Sequence, residues 1–129
     1  MHEMALMGDI LELIQADALA KGMQQIEKVE LIVGEVANAM PDALQMAFAI
    51  YRDQNPLFLH KNAQLVIHSE EAKAVCVLCG IEYRPQQKIA LCPECQIPSG
   101  KLVSGETLQV LSYEGSFTNE SNIENRRPN

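Results

Sequence analysis

Apolar side chains recur at helical spacing over residues 3–20, where Leu6, Ile10, Leu13 and Ile14 carry the pattern and Gly22 supplies a stop. Alternation takes over across residues 28–36, with Val29, Leu31 and Val33 on one face of an expected strand that ends near Gly34. Pro41 and Asp42 open a second helix, since proline is tolerated in the first turn and aspartate suits the positive end of the dipole. Its core face is Leu44, Ala47, Phe48 and Tyr51. Short strands are expected over residues 63–68 and 106–112, and a cysteine-bearing stretch, residues 71–104, lies between them. A lone terminal strand is not stable, so the last one must return to pair with one of the first two. The pattern predicts an α+β fold: two helices on a small three-stranded sheet, with the cysteine stretch as an inserted lobe. Residues 1–70 plus 105–113 form the expected α+β domain and 71–104 the lobe. Residues 114–129 are expected to be a disordered tail, with Phe117 and Ile123 its large apolar groups.

Composition narrows the function classes. Among 129 residues, 47% are hydrophobic, enough for a packed core in one ordinary domain with a small stapled lobe. The balance of 10 basic against 17 acidic residues gives −7, which disfavours sequence-independent binding to nucleic acid. The lobe is neutral, with Lys73, Arg84, Lys88 and Lys101 matched by Glu70, Glu71, Glu82 and Glu94. The expectation is no nucleic-acid partner. No apolar run is long enough for a bilayer, and the start lacks the basic and apolar segments of a signal peptide. No membrane association and a cytoplasmic location are therefore expected.

All four cysteines fall in two pairs, Cys76/Cys79 and Cys92/Cys95, with twelve residues between the pairs. A two-residue gap lets both sulfurs of a tight turn face one ion, so the set predicts a closed tetrahedral Zn(2+) site of the structural kind. Gly80 and Pro93 supply turn chemistry for the two knuckles. Paired disulfides imply an oxidising compartment, and a redox motif needs only one pair. The lobe is therefore read as zinc-ribbon-like.

A second metal chemistry sits at the opposite end of the sequence. His2 follows Met1, so an α-amine, neighbouring backbone amides and an imidazole lie within reach of one ion. A coplanar nitrogen set suits Ni(2+) or Cu(2+) and serves Zn(2+) poorly. The first amides of a helix have no intrahelical acceptor, so those of His2 and Glu3 can lose protons to a metal without breaking helical bonds. Glu3 contributes its backbone nitrogen and favours the helix start. His60, in an expected loop, and His68, at a strand end, are weaker candidates for an extra ligand. Met4 and Met7 read as packing residues, since thioethers suit Cu(I).

With these residues assembled, the chain resembles the HypA/HybF family of nickel metallochaperones for [NiFe]-hydrogenase maturation. The resemblance rests on Met1-His2-Glu3, VELIVGEV at 29–36, MPDAL at 40–44 with Phe48, both cysteine knuckles, and ETLQV at 106–110. It implies a nickel site built around His2 with Met1 and Glu3, and structural zinc on Cys76, Cys79, Cys92 and Cys95. It also implies a GTPase accessory partner and delivery to an immature hydrogenase large subunit. Three features depart from the family pattern: Gln96 where a knuckle often has glycine, Gly8 early in the first helix, and the extension past Tyr113. No enzyme is expected, because the cysteines are committed and no glycine-rich phosphate loop is present. The alternative reading is a zinc-ribbon adaptor for protein or nucleic acid with no nickel role.

Overall fold

Tyr51 and Gly8 meet where two helices cross, and that contact shapes the first part of the molecule. The computed structural model describes residues 2–85 and 90–117. Helix α1 (His2–Ala20) leads into strand β1 (Met23–Gly34) and helix α2 (Pro41–Gln54). Strands β2 (Leu59–Glu70), β3 (Lys73–Cys76), β4 (Glu82–Tyr83), β5 (Gly100–Ser104) and β6 (Leu108–Phe117) follow. The fold is mixed α+β.

Helix α1 buries Met7, Leu11, Ile14 and Ala18, a stripe one position away from the expected one. Leu13 is 70% exposed, and Leu6 and Ile10 are half-buried. The reason is compositional. Apolar residues occur on most sides of this helix, so periodicity alone cannot select the side that meets α2. Helix α2 buries Leu44, Ala47 and Phe48 as expected, while Tyr51 is only half-buried. Its hydroxyl donates to the Met4 carbonyl of α1 at 2.9 Å. A Cβ on Gly8 would lie 2.7 Å from that hydroxyl oxygen. Glycine at this position lets the tyrosine reach the helix backbone, which offsets its low helix propensity.

Three strands form one sheet in the order β2-β1-β6, so the closing strand returns to β1, as the sequence requires. Val29, Leu31 and Val33 are buried on β1, joined by Ile26. Strand β2 begins four residues before its expected start and includes His60, which therefore lies in a strand and not in a loop. Leu59, Ala63 and Leu65 are its buried positions. Strand β6 runs on to Phe117, so residues 114–117 of the expected tail are strand. Residues 118–129 lie outside the described ones, as does Met1.

The chain divides into two compact units. One comprises Met1–Leu31, Met40–Val66 and Val110–Asn129; the other comprises Ile32–Ala39 and Ile67–Gln109. In the second unit, β4-β3-β5 form an antiparallel sheet, with Ala74 opposite Tyr83 and Leu102 on its two sides. Glu35 belongs here by its bonds. Its carboxylate accepts from the Ala72 amide and from the Arg84 guanidinium, each at 2.9 Å. The Ala72 amide and then Arg84 hold Glu35 below the usual carboxylate range.

Replacing Gly8 by alanine should lower stability, although alanine is the better helix former by about 0.5–1 kcal/mol. Displacing Tyr51 costs its hydrogen bond and some packing, so a net loss of about 1 kcal/mol is expected in urea unfolding. A more stable Gly8→Ala protein would show that the helix crossing tolerates a Cβ.

Candidate metal centre

The two cysteine pairs are built by the same backbone device. Strand β3 delivers Cys76, whose amide bonds the Ile81 carbonyl at 3.0 Å while the Gly80 amide returns to the Cys76 carbonyl at 2.9 Å. Sixteen positions on, the Cys92 amide bonds the Ile97 carbonyl at 3.0 Å and the Gln96 amide returns to the Cys92 carbonyl at 2.8 Å. Each turn needs a left-handed residue just after its second cysteine. Gly80 supplies it at φ 79°, and Gln96 adopts it at φ 60°. The glutamine accordingly carries the strain expected of a residue with a Cβ there.

The device aims the sulfurs at one point. All four ligand atoms lie within 4.8 Å of one another, and the cross-knuckle pairs Cys76/Cys95 and Cys79/Cys92 are each 3.8 Å apart. A disulfide would need about 2.05 Å, so these four are thiols. A tetrahedron with zinc–sulfur bonds of about 2.3 Å has edges of about 3.8 Å, so the spacing fits such an ion. Amides support the sulfurs as well. Leu78 and Cys79 donate to the Cys76 sulfur at 3.3 and 3.4 Å, and Cys95 donates to the Cys92 sulfur at 3.3 Å. Cys76 and Cys92 are buried, Cys95 is half-buried and Cys79 is exposed.

Electrostatics make the set strongly unequal. The Ser99 hydroxyl, 3.0 Å from the Cys76 sulfur, and then the Cys79 amide bring the Cys76 thiol down to about 6. The Cys76 sulfur beside it, followed by burial, pushes Cys95 up to about 12. Without a cation, charge on Cys76 opposes ionisation of its neighbour Cys95. A divalent ion at the centre would offset that repulsion, which is the chemistry that a donor set of this kind fits. Ser99 had no signal in the sequence, because its role follows from the β5 pairing that brings it to Cys76.

At the other end of the sequence, His2 is the exposed first residue of α1. The side chain of Glu3 is engaged with α2: its Oε2 accepts from the Met40 amide at 3.0 Å. Met40 is the N-cap residue of α2 and has no side-chain cap of its own, so Glu3 serves that helix start from a distance in sequence. The Met40 amide holds the Glu3 carboxyl below the usual range. His60 Nδ1 accepts from the Asn62 amide at 2.9 Å, and His68 is exposed on β2.

Comparison with known proteins gives this arrangement its context. A family model described as "Hydrogenase/urease nickel incorporation, metallochaperone, hypA" matches residues 1–115. The chain belongs to the HypA family. The hydrogenase maturation factor HypA of Desulfitobacterium hafniense is 36% identical over 114 residues, covering 88% of this chain and 97% of the relative. That of Chloroflexus aggregans is 31% identical over 115 residues, covering 88% and 98%. The solution structure of the Ni metallochaperone HypA from Helicobacter pylori superposes with a TM-score of 0.61 at 23% identity, covering 91% and 99%. That likeness speaks for the fold. Among the described residues, no helix is long and apolar enough to cross a membrane.

Two substitutions test the local account. Gln96→Gly relieves the left-handed strain and should raise the thermal stability of the lobe by about 1 kcal/mol, whereas an unchanged midpoint would show that the turn carries no strain. The Glu3 contribution should depend on pH. Because its native value is depressed, the stabilisation is complete above the ordinary glutamate value near ~4.3 and fades as pH falls through the lower native one. Glu3→Gln should flatten the acid limb of the stability curve; an unaltered limb would remove Glu3 from the account.

Proposed function

We propose that this chain is a nickel metallochaperone with two unlike metal sites. Zinc is held permanently by Cys76, Cys79, Cys92 and Cys95, and Ni(II) is carried as cargo at the amino terminus. The nickel donors are the α-amine of Met1, backbone amides of the first residues and the imidazole of His2. The observation that carries this reading is His2, exposed at the first position of α1, where the helix leaves backbone amides without intrahelical acceptors. Glu3 contributes through its backbone, because its carboxylate is engaged by Met40. That bond anchors the first turn while leaving the imidazole beside it in solvent.

The two sites divide the labour. Zinc supplies binding energy that is also folding energy, on the order of 10 kcal/mol in small zinc-folded domains. The cysteines orient it, and the amides of Leu78, Cys79 and Cys95 stabilise the thiolate charge. The terminal site is exposed, so nickel can enter and leave on contact with a partner. We assign the recipient as the precursor of a [NiFe]-hydrogenase large subunit and the energy source as a GTPase accessory protein. The chain itself is no enzyme, acts in the cytoplasm, and binds neither nucleic acid nor membrane, in keeping with its −7 balance.

Metal titration tests this directly. The native chain should take one zinc and one nickel. His2→Ala should lose the nickel and keep the zinc; Cys76→Ala or Cys95→Ala should lose the zinc and keep most nickel binding. Amide coordination requires proton loss, so nickel affinity should climb steeply with pH. Zinc uptake with no nickel uptake would turn the reading to the adaptor, and full zinc retention by either cysteine variant would overturn the Cys₄ assignment.

A further inference from the structure

An open groove of about 450 Å³ is lined by α1, the end of α2 and the start of β2, all in the first unit. Buried Leu11 and Leu59 and half-buried Phe58 give it an apolar lining, and exposed Asp9 and Glu12 give it an acidic one. The two carboxylates are three positions apart on α1 and so neighbour each other on its surface. Among the described residues neither takes part in an ion pair or a side-chain hydrogen bond, whereas Lys21, Lys28, Arg52 and Arg84 each stand beside a carboxylate. Tyr51 and Asn55, which also line the groove, donate within the fold, to the Met4 and Tyr51 carbonyls. Charge recognition therefore falls to Asp9 and Glu12. A ligand matched to this lining has an aliphatic stem and a cationic head, which is the build of arginine or lysine.

The chain supplies such groups itself. Arg126 and Arg127 are adjacent, and no other two of its ten basic residues are. Strand β6, which precedes them, ends near the groove. A Cβ on Gly115 would meet the Gln25 carbonyl, so this end of β6 lies against the start of β1. The Gln25 side chain donates to the Pro56 carbonyl at 3.1 Å, and the Ile26 amide bonds the Phe58 carbonyl at 2.7 Å. Two strand spacings of about 4.8 Å thus separate β6 from the wall that Phe58 forms. The link from Phe117 to Arg126 spans about 30 Å when extended, ample for the path around.

We propose that residues 118–129 return to this groove and seat the Arg126–Arg127 pair against Asp9 and Glu12. The arginine methylenes cover the apolar lining while a guanidinium meets a carboxylate. Exposed ion pairs are weak, but a short tether sets an effective concentration near millimolar, so weak pairs suffice. The matching family model ends at residue 115, so the contact belongs to this chain's own extension. Ala5 lines the groove one turn from His2, and a partner approaching that face of α1 meets the tethered segment first. The proposal is independent of the nickel assignment.

Amide chemical shifts and backbone relaxation of the zinc-loaded full chain test it. Residues 123–128 should relax with the folded domain. Charge reversal by Arg126→Glu with Arg127→Glu should release them and shift the amides of Gly8, Asp9, Glu12 and Phe58. Asp9→Asn with Glu12→Gln should lower the docked-to-free ratio roughly fivefold, as expected for two exposed ion pairs. Combining Asp9→Lys and Glu12→Lys with the two arginine reversals should restore docking, which a merely structural effect of either pair would not. Zinc content and circular dichroism establish that each variant is folded. Residues 123–128 relaxing as free chain in the unaltered protein would overturn the proposal. So would groove amides that ignore the arginine reversal, or groove shifts that vary with protein concentration, which assign the arginines to another molecule.

Discussion

Four sulfurs within 4.8 Å of one another cannot all carry charge unless a cation lies among them. That constraint governs the second unit of the molecule. It explains why two turns of unrelated sequence share one hydrogen-bond pattern, and why Gln96 is held in a conformation better suited to glycine. It also explains the spread between Cys76, at about 6, and Cys95, at about 12. Amides and the Ser99 hydroxyl favour charge at Cys76, while the charge developed there opposes ionisation of Cys95. The backbone has organised a centre that only a metal ion completes.

Opposite requirements would apply to the nickel site proposed at the amino terminus. A cargo site must be reachable, and helix starts provide amides with no internal partner at no cost to the fold. Glu3 fastens the helix start that carries His2. By accepting from the Met40 amide it caps the start of α2 and fastens the first turn of α1 with a single bond. The Tyr51 hydroxyl adds a second tie one residue on, at the Met4 carbonyl. Order is thus imposed through the Glu3 carboxylate and the Met4 carbonyl, and His2 stays exposed.

Much of this was legible in the sequence, for identifiable reasons. The cysteine spacing predicts a convergent centre because a two-residue gap permits few geometries. The return of the last strand follows from the instability of a strand alone. What escaped the sequence depended on contacts between distant residues. The buried side of α1 is fixed by α2, not by a periodicity that several apolar faces satisfy equally. The polar run His60-Lys61-Asn62 hides the first turns of β2 from a hydropathy reading, although Leu59 is fully buried. Gly8 looks like a defect until Tyr51 arrives from α2. The pairing of Glu3 with Met40 spans 37 positions, and no local pattern announces it.

The central claim, that nickel is held by main-chain nitrogens and His2 at the terminus, is tested most directly by nickel titration of the zinc-loaded chain with and without a few residues added ahead of Met1. The extension leaves every side chain intact and removes only the terminal amine. The untagged protein should develop the yellow absorption of square-planar, spin-paired Ni(II), and the extended one should fail to do so. Equal binding by both proteins would contradict the terminal site and return attention to His60 and His68.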